Sequence, residues 1–287
     1  MAFVSYPNKI KSFFSLIRLN KPIGFLLLMW PSWFALADTK TLDNNLLKWY
    51  IIFFIGAFLM RSAGCIINDI IDINLDRNII RTLNRPLVTK EISLLEGYIF
   101  LALLLVLSFY ILIQFKITTI FIGLCSIPLI IIYPYMKRIT YWPQLFLGIS
   151  FSWGIIMVSF EFLEYLSLNN FILFIACIFW TLAYDTVYAY QDINDDIKNK
   201  IFSTAVLFRE SGKKYVFTFY SIFLLLLSFI SFRNNGSFIS FLVIIMILFT
   251  ILVFLNKWEI NSTTSSNKFF KENNIFGLIC FLYLLVF

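Results

Sequence analysis

Seven of the 16 Asp and Glu residues lie in two short segments of the chain, which could bind a cation. The seven are Asp69, Asp72 and Asp76 in the first aspartate segment and Asp185, Asp192, Asp195 and Asp196 in the second. Residues four apart on a helix lie on the same face, so the first segment is predicted to align Asn68, Asp72 and Asp76. The same spacing in the second segment aligns Asp185, Tyr188, Asp192 and Asp196. Each aligned face is a row of oxygen ligands.

The residue types in these rows favour a hard divalent metal ion. Crowded carboxylates repel each other and raise one another's pKa, so a cation must neutralise them. The chain has no histidine and four cysteines without C-x-x-C spacing, which excludes imidazole chemistry and argues against a thiolate metal site. Carboxylate, amide and water ligands select Mg²⁺ or Mn²⁺. Because Mg²⁺ typically completes its shell with substrate phosphate, a phosphorylated ligand is implied.

Basic residues follow both segments and are suited to bind that phosphate. They are Arg77, Arg81 and Arg85 after the first segment, Lys198 and Lys200 after the second, and Lys137 and Arg138 between them. Guanidinium groups bind phosphate oxygens in a bidentate manner. With the metal they predict a diphosphate site, although any single cation could instead serve membrane topology.

The elements that must position these residues are predicted to be membrane-spanning helices. Hydrophobic residues make up 60% of the chain and charged residues 14%, and the mean hydropathy is +0.86. A spanning helix needs about 20 residues. Nine apolar runs approach that length: 22–37, 46–67, 94–115, 117–135, 141–160, 170–190, 215–232, 238–255 and 275–287. The last run is too short to cross unless it begins near Phe269. The pattern predicts an all-α, polytopic membrane protein.

The distribution of Lys and Arg predicts the orientation of the chain. With a cytoplasmic N-terminus, 18 of the 23 basic residues fall in cytoplasmic segments, which are normally rich in them. Both aspartate segments would then face the cytoplasm, and the C-terminus would lie outside. The net charge of +7 is explained by topology and attraction to anionic lipid rather than by nucleic acid. Residues 1–20 lack a signal-peptide pattern, so we expect the chain to begin at Met1.

Further sequence blocks surround the two segments: RLNKPIG at 18–24, MRSAGC at 60–65, RTLNRPL at 81–87, YPYMKR at 133–138 and YWPQ at 141–144. Together with the two segments they resemble the UbiA superfamily of membrane prenyltransferases, and most closely its 4-hydroxybenzoate polyprenyltransferase branch. The resemblance covers residues 18–205. It implies one domain over residues 1–287, with nine transmembrane helices around a central cavity, in a bacterial inner membrane.

By the same resemblance, the reaction is transfer of a polyprenyl chain from polyprenyl diphosphate to the ring carbon ortho to the hydroxyl of 4-hydroxybenzoate, a step of ubiquinone synthesis. Other acceptors of this superfamily, namely homogentisate, dihydroxynaphthoate and haem, stay open. An alternative of another class is a cation-coupled transporter. Transport predicts acids near the bilayer midplane, whereas these acids cluster at predicted helix ends.

Spacing and motif match together assign roles to individual residues. The expected Mg²⁺ ligands are Asn68, Asp72, Asp192 and Asp196, with Asp76 as a further ligand or an orienter of Arg81. The expected diphosphate ligands are Arg81, Arg85 and Lys137. An allyl cation needs aromatic faces, for which the candidates are Tyr188, Tyr133, Tyr135, Trp30 and Trp153.

Three further residues complete the expected site. Arg18 is positioned to bind the acceptor carboxylate or to anchor the chain at the interface. Asp185 is a candidate base for the phenolic proton, or an additional ligand on the diphosphate side. Relatives commonly read Gly-x-Lys-Ser-Thr-Ala where this chain has Lys200-Ile-Phe-Ser-Thr-Ala, so Lys200 is either a relocated diphosphate ligand or a topology residue.

Overall fold

The computed structural model describes residues 6–39, 45–77 and 79–287, which form fourteen α-helices and two short 3₁₀ helices and contain no strand. The α-helices are α1 Tyr6–Leu16, α2 Ile23–Asp38, α3 Leu46–Ile71, α4 Ile73–Asp76, α5 Leu94–Leu112, α6 Ile117–Leu124, α7 Ile127–Met136, α8 Pro143–Leu163, α9 Leu168–Ala189, α10 Ile193–Lys198, α11 Thr204–Phe208, α12 Gly212–Asn235, α13 Phe238–Lys257 and α14 Thr263–Val286. Met1 and the rest of the first five residues lie outside the described part.

The predicted polytopic architecture is confirmed, with a small difference in the number of spans. Within the described residues, eight helical segments are long and apolar enough to cross a membrane. One of them joins α6 to α7, and another runs from α11 into α12. The first predicted run, residues 22–37, forms α2, an apolar helix of only 16 residues, which is shorter than the eight candidate spans.

The last helix is longer than its apolar run predicts. It begins at Thr263 rather than near Phe269, and two polar residues of its first half, Ser266 and Asn273, are buried. Asn273 accepts hydrogen bonds from Trp180 Nε1 at 3.0 Å and from the Tyr220 hydroxyl at 2.7 Å. The polar residues before position 275 interrupt the apolar run in the sequence, but the hydrogen bonds of Asn273 are made inside the bundle. Helix α14 is therefore long and apolar enough to cross a membrane.

Helix α9 lies in the middle of the bundle and fixes the position of the second aspartate segment. It packs along α8 on one side and α12 on the other. Trp180 is fully buried and stacks between Phe34 of α2 and Phe223 of α12. Gly148 of α8 lets the two backbones approach, since a Cβ there would lie 3.2 Å from the Ile178 backbone. The carboxyl end of α9 therefore projects from a rigid core.

Neither aspartate segment is one continuous helix, which corrects the simple helical-row prediction. Helix α3 ends at Ile71, Asp72 has φ −96° and ψ 4°, and α4 follows. The i to i+4 backbone hydrogen bonds nevertheless persist, from the Asp72 amide to Asn68 and from the Asp76 amide to Asp72. The second segment breaks similarly between α9 and α10. The breaks turn the ends of both segments across the end of the bundle.

Candidate active site

The two aspartate segments and the basic residues that follow them meet at one end of the bundle, here called the motif end. Asp69 is buried there and accepts two hydrogen bonds from Arg18 Nη2, at 2.7 and 2.9 Å. Arg85 Nη1 lies 2.9 Å from Asp69 and also pairs with Asp76. Asp69 therefore joins the N-terminal block to the block that follows the first segment, a role that its spacing did not indicate.

Asp72 is paired with the loop between α7 and α8. Lys137 donates to one of its carboxylate oxygens, and Arg138 Nη2 lies 3.3 Å from the other. The Lys137 carbonyl also accepts a hydrogen bond from the Phe202 amide at 2.8 Å. Lys137 thus lies between the first segment and the loop that follows the second. From this position its ammonium group can reach an anion that is bound between the two segments.

Arg81 and Asp192 connect the two segments directly. Arg81 Nε and Nη2 donate to the two carboxylate oxygens of Asp192 at 2.7 and 2.6 Å. Arg81 Nη1 also donates to the Tyr188 hydroxyl at 2.9 Å, and its guanidinium lies 5.4 Å from that ring. Asp76, expected as a metal ligand or an orienter of Arg81, forms its ion pair with Arg85 and is an electrostatic neighbour of Arg81.

Two of the expected metal ligands are held in surroundings that disfavour the carboxylate anion. Burial, together with the neighbouring Asp192, raises the pKa of Asp196 to about 7 against the hydrogen bond from Ser203 Oγ at 3.2 Å. Burial also raises the pKa of Asp76, an effect that Arg85 opposes and that Asp69 strengthens. Such carboxyls gain strongly from a bound cation.

No three carboxylates converge on one point among the residues that the structure describes. Four of the acids, Asp69, Asp72, Asp76 and Asp192, instead pair with arginines and lysines of the chain itself. The donor set still fits Mg²⁺, because carboxylate and amide oxygens dominate it and because Asp196 forms no ion pair with a described residue. A diphosphate would offer the paired cations new partners and release carboxylates to the metal.

Deeper in the bundle, an apolar cavity of about 410 Å³ runs between α3, α5, α6, α7 and α8. Asn68 and Tyr133 line it near the motif end, and Trp153 lines its far wall, where Trp153 donates to the Ile122 carbonyl at 2.9 Å. Leucine, isoleucine and phenylalanine side chains form most of the remaining surface. The cavity has a size and polarity typical of a site for a largely apolar ligand.

Arg61 is a candidate functional residue that the motif spacing missed. It lines the cavity inside a span, its Nε is buried without a hydrogen-bond partner, and it forms no ion pair with a described residue. Its guanidinium lies 5.6 Å from the Phe151 ring. The available signal was a single arginine within a 26-residue apolar helix, which by itself indicates function.

The other expected site residues fall into two groups. Asp185 and Tyr188 lie at the end of α9, and the Asp185 carboxylate, which is partly accessible, makes no hydrogen bond or ion pair with a described residue. Three candidates lie away from the cavity. Trp30 is packed in the core and bonded to Asn274, Tyr135 is exposed beside Arg138, and the Lys200 side chain is exposed without an ion pair to the described residues.

Comparison with known proteins shows the family of this chain. A family model described as the UbiA prenyltransferase family matches residues 25–283. The chain belongs to the UbiA prenyltransferase family. It is 40% identical over 220 residues to 4-hydroxybenzoate octaprenyltransferase of Pseudomonas aeruginosa (strain UCBPP-PA14), covering 75% of this chain and 73% of the relative. It is 35% identical to the protein of that name from Pseudoalteromonas translucida (strain TAC 125), covering 97% and 95%.

A solved structure shares the fold of this UbiA prenyltransferase. A UbiA homolog from Archaeoglobus fulgidus, bound to GPP and Mg²⁺, is similar with a TM-score of 0.69 at 15% identity, covering 96% of this chain and all of the other (100%). This identity supports the fold alone. The family assignment from sequence is confirmed, and the chain is a multi-pass membrane enzyme.

Proposed function

We propose that this UbiA prenyltransferase transfers a polyprenyl group from polyprenyl diphosphate to the ring carbon ortho to the hydroxyl of 4-hydroxybenzoate. One observation carries the proposal: an apolar cavity extends from the unpaired cation of Arg61 to Asn68 of the first aspartate segment. An aromatic carboxylate needs a buried cation, and a prenyl chain needs apolar walls. The names of the relatives from Pseudomonas aeruginosa and Pseudoalteromonas translucida support this choice of acceptor.

The diphosphate is proposed to bind at the motif end. Arg81, Arg85 and Lys137 surround the aspartate segments and currently pair with carboxylates. Each can turn its charge to a diphosphate oxygen, because guanidinium and ammonium groups bind phosphate and carboxylate alike. These cations then stabilise the negative charge that develops on the diphosphate as its bond to the prenyl carbon breaks.

The residues proposed to hold Mg²⁺ are Asn68, Asp72, Asp76, Asp192 and Asp196. The bound metal would supply charge neutralisation for the leaving diphosphate. That the Archaeoglobus fulgidus relative was solved with GPP and Mg²⁺ supports a divalent metal here. Arg81 links the two sets of ligands through Asp192, so both segments are proposed to serve one diphosphate.

The prenyl carbon carries positive charge once the bond to the diphosphate has broken. Tyr133 lines the cavity and Tyr188 contacts Arg81 at the motif end, and both are proposed to stabilise that charge through their π-faces. The ring carbon of the acceptor then bonds to the prenyl carbon, and its hydrogen leaves as a proton to the released diphosphate. Asp185, an electrostatic neighbour of Arg61 that makes no hydrogen bond with the described residues, is proposed to accept the phenolic proton during the attack and to return it to the product.

The acceptor carboxylate is proposed to bind Arg61 rather than Arg18. Arg18 donates two hydrogen bonds to Asp69 and lies at the motif end. Arg61 lines the cavity, its Nε has no hydrogen-bond partner, and it forms no ion pair with a described residue. In this proposal Arg18 positions Asp69 and, through it, Arg85.

The motif end is proposed to face the cytoplasm of a bacterial cell, with the protein in the inner membrane and residues 1–287 forming one domain. The excess of Lys and Arg at that end supports this orientation. A cysteine introduced at the exposed position Lys198, in a background without the exposed Cys125, tests it. A membrane-impermeant maleimide should label Lys198→Cys only when the cells are opened, so that the reagent reaches the cytoplasmic face of the membrane. Labelling of intact cells would overturn the orientation.

The central experiment incubates membranes that contain the protein with labelled 4-hydroxybenzoate, a polyprenyl diphosphate and Mg²⁺, and analyses the lipid extract by mass spectrometry. The expected product is labelled 4-hydroxybenzoate in which one ring hydrogen is replaced by the prenyl group. Parallel incubations use homogentisate, dihydroxynaphthoate and haem. A product from one of these acceptors alone would keep the family and overturn the proposed substrate.

A further inference from the structure

The face of α3 that lines the cavity contains a glycine that the fold does not require. Arg61, Gly64 and Asn68 are spaced three and four residues apart and all face the cavity. Gly64 has helical backbone torsions, since the only described glycine with a positive φ is Gly236. Glycine is a poor helix former, so its presence at position 64 calls for another reason.

Close packing does not supply that reason. A Cβ built on Gly64 meets no atom within 4 Å. Two other glycines that line the cavity differ: a Cβ on Gly123 would lie 2.6 Å from Leu112 Cδ1, and one on Gly154 would lie 3.0 Å from Ser32 Oγ. Those two glycines permit helix contacts, whereas the missing side chain of Gly64 leaves space in the cavity itself.

The open space lies between two chemically different groups. Asn68 is on the side of the diphosphate site, and Arg61 is about 10 Å deeper along α3, from a rise of 1.5 Å per residue. A benzene ring with a carboxylate at one end and, at the other, a hydroxyl beside the reacting carbon fits between a cation and the diphosphate. The ring would then lie across Gly64.

We propose that Gly64 limits how wide an acceptor ring the site can bind. Its bare backbone forms the surface on which the acceptor ring lies between Arg61 and Asn68. The inference rests on the proposed function and extends it to a specificity-determining residue. A side chain at position 64 would occupy the space of ring substituents without touching the diphosphate site.

The experiment compares the wild type with Gly64→Ala and Gly64→Val, each assayed with 4-hydroxybenzoate and with the wider 3-methyl-4-hydroxybenzoate, which keeps one free ortho carbon. Gly64→Ala is expected to lower kcat/KM for the wider acceptor relative to 4-hydroxybenzoate by about tenfold, the discrimination that one methylene group gives in a tight pocket. Gly64→Val should exclude both acceptors. The KM for the prenyl diphosphate should stay unchanged in Gly64→Ala.

Gly56→Ala is the matched control, because Gly56 lines the same cavity on the same helix and its added methyl would meet only Ile111, at 3.9 Å. It should leave the ratio of the two acceptors unchanged. Equal loss with both acceptors and the donor in Gly64→Ala, or an unchanged ratio, would overturn the assignment of Gly64. A wild type that prenylates neither acceptor would instead overturn the proposed function, and the inference with it. Melting temperatures in detergent should not fall in Gly64→Ala, since alanine favours the helix.

Discussion

A methyl group on Gly24 of α2 would lie 2.8 Å from Nε of Arg61 on α3. Gly24 belongs to the RLNKPIG block, and its missing side chain leaves room for the Arg61 guanidinium. A glycine near the start of the chain therefore helps to set the position of the cation that is proposed to bind the acceptor.

Gly24→Ala should move Arg61 rather than unfold the protein, because the crowded atom belongs to a flexible side chain. The expected result is a higher KM for 4-hydroxybenzoate, an unchanged KM for the prenyl diphosphate, and a melting temperature close to that of the wild type. Steady-state kinetics in detergent or nanodiscs measure the first two. Gly56→Ala is the control and should leave all three unchanged. A large loss of stability with normal kinetics in Gly24→Ala would show that the glycine serves packing alone.

Asp192→Ala should abolish turnover, whereas Asp195→Ala should retain it. Both residues lie near the start of α10, but only Asp192 holds Arg81 and faces the first segment. EDTA should stop the wild type, and Mg²⁺ or Mn²⁺ should restore it. Turnover that persists in Asp192→Ala or in EDTA would contradict a shared metal and diphosphate site.

Metal binding should weaken as the pH falls below about 7, the value to which burial raises the pKa of Asp196. The metal needs the anion, and a raised pKa means that a proton occupies the carboxyl below this value. The Mg²⁺ concentration that half-saturates binding of the prenyl diphosphate should rise by up to about tenfold per pH unit for one such proton. Asp196→Asn should bind more weakly and lose this dependence. A flat profile in the wild type would refute the proton competition.

Lys200 adopts a left-handed backbone conformation, with φ +57°, at the position where relatives commonly have glycine. Lys200→Gly is therefore expected to stabilise the protein by about 1 kcal/mol, because glycine accepts this conformation without steric strain. Thermal unfolding in detergent measures the change. If the exposed lysine serves topology alone, Lys200→Gly and Lys200→Ala should both keep the donor KM. A raised donor KM in both variants would restore Lys200 as a diphosphate ligand.

Local sequence predicted the two aspartate segments and the helices that carry them, because carboxylate spacing and apolar runs are properties of neighbouring residues. The pairing of Arg81 with Asp192 and of Arg18 with Asp69 could not be predicted, since it depends on how distant elements meet. The start of α14 could not be predicted, because Asn273 and its polar neighbours are typical of a loop. Only the folded structure shows that Trp180 donates a hydrogen bond to Asn273 inside the bundle. Arg61 was visible as an intramembrane cation, but its lack of a partner is a property of the folded structure.

The claim that the cavity binds an aromatic carboxylate through Arg61 can be tested by removing the charge from either side of the contact. Wild type, Arg61→Ala and Arg18→Ala are each assayed with 4-hydroxybenzoate and with its uncharged amide, and kcat/KM is compared. A hydrogen bond between charged groups contributes roughly 1.5–3 kcal/mol. The wild type is thus expected to prefer the acid by about 10- to 100-fold, and Arg61→Ala to lose that preference while keeping the KM for the prenyl diphosphate. An Arg61→Ala enzyme that keeps the full preference, or an Arg18→Ala enzyme that loses it instead, would contradict the account.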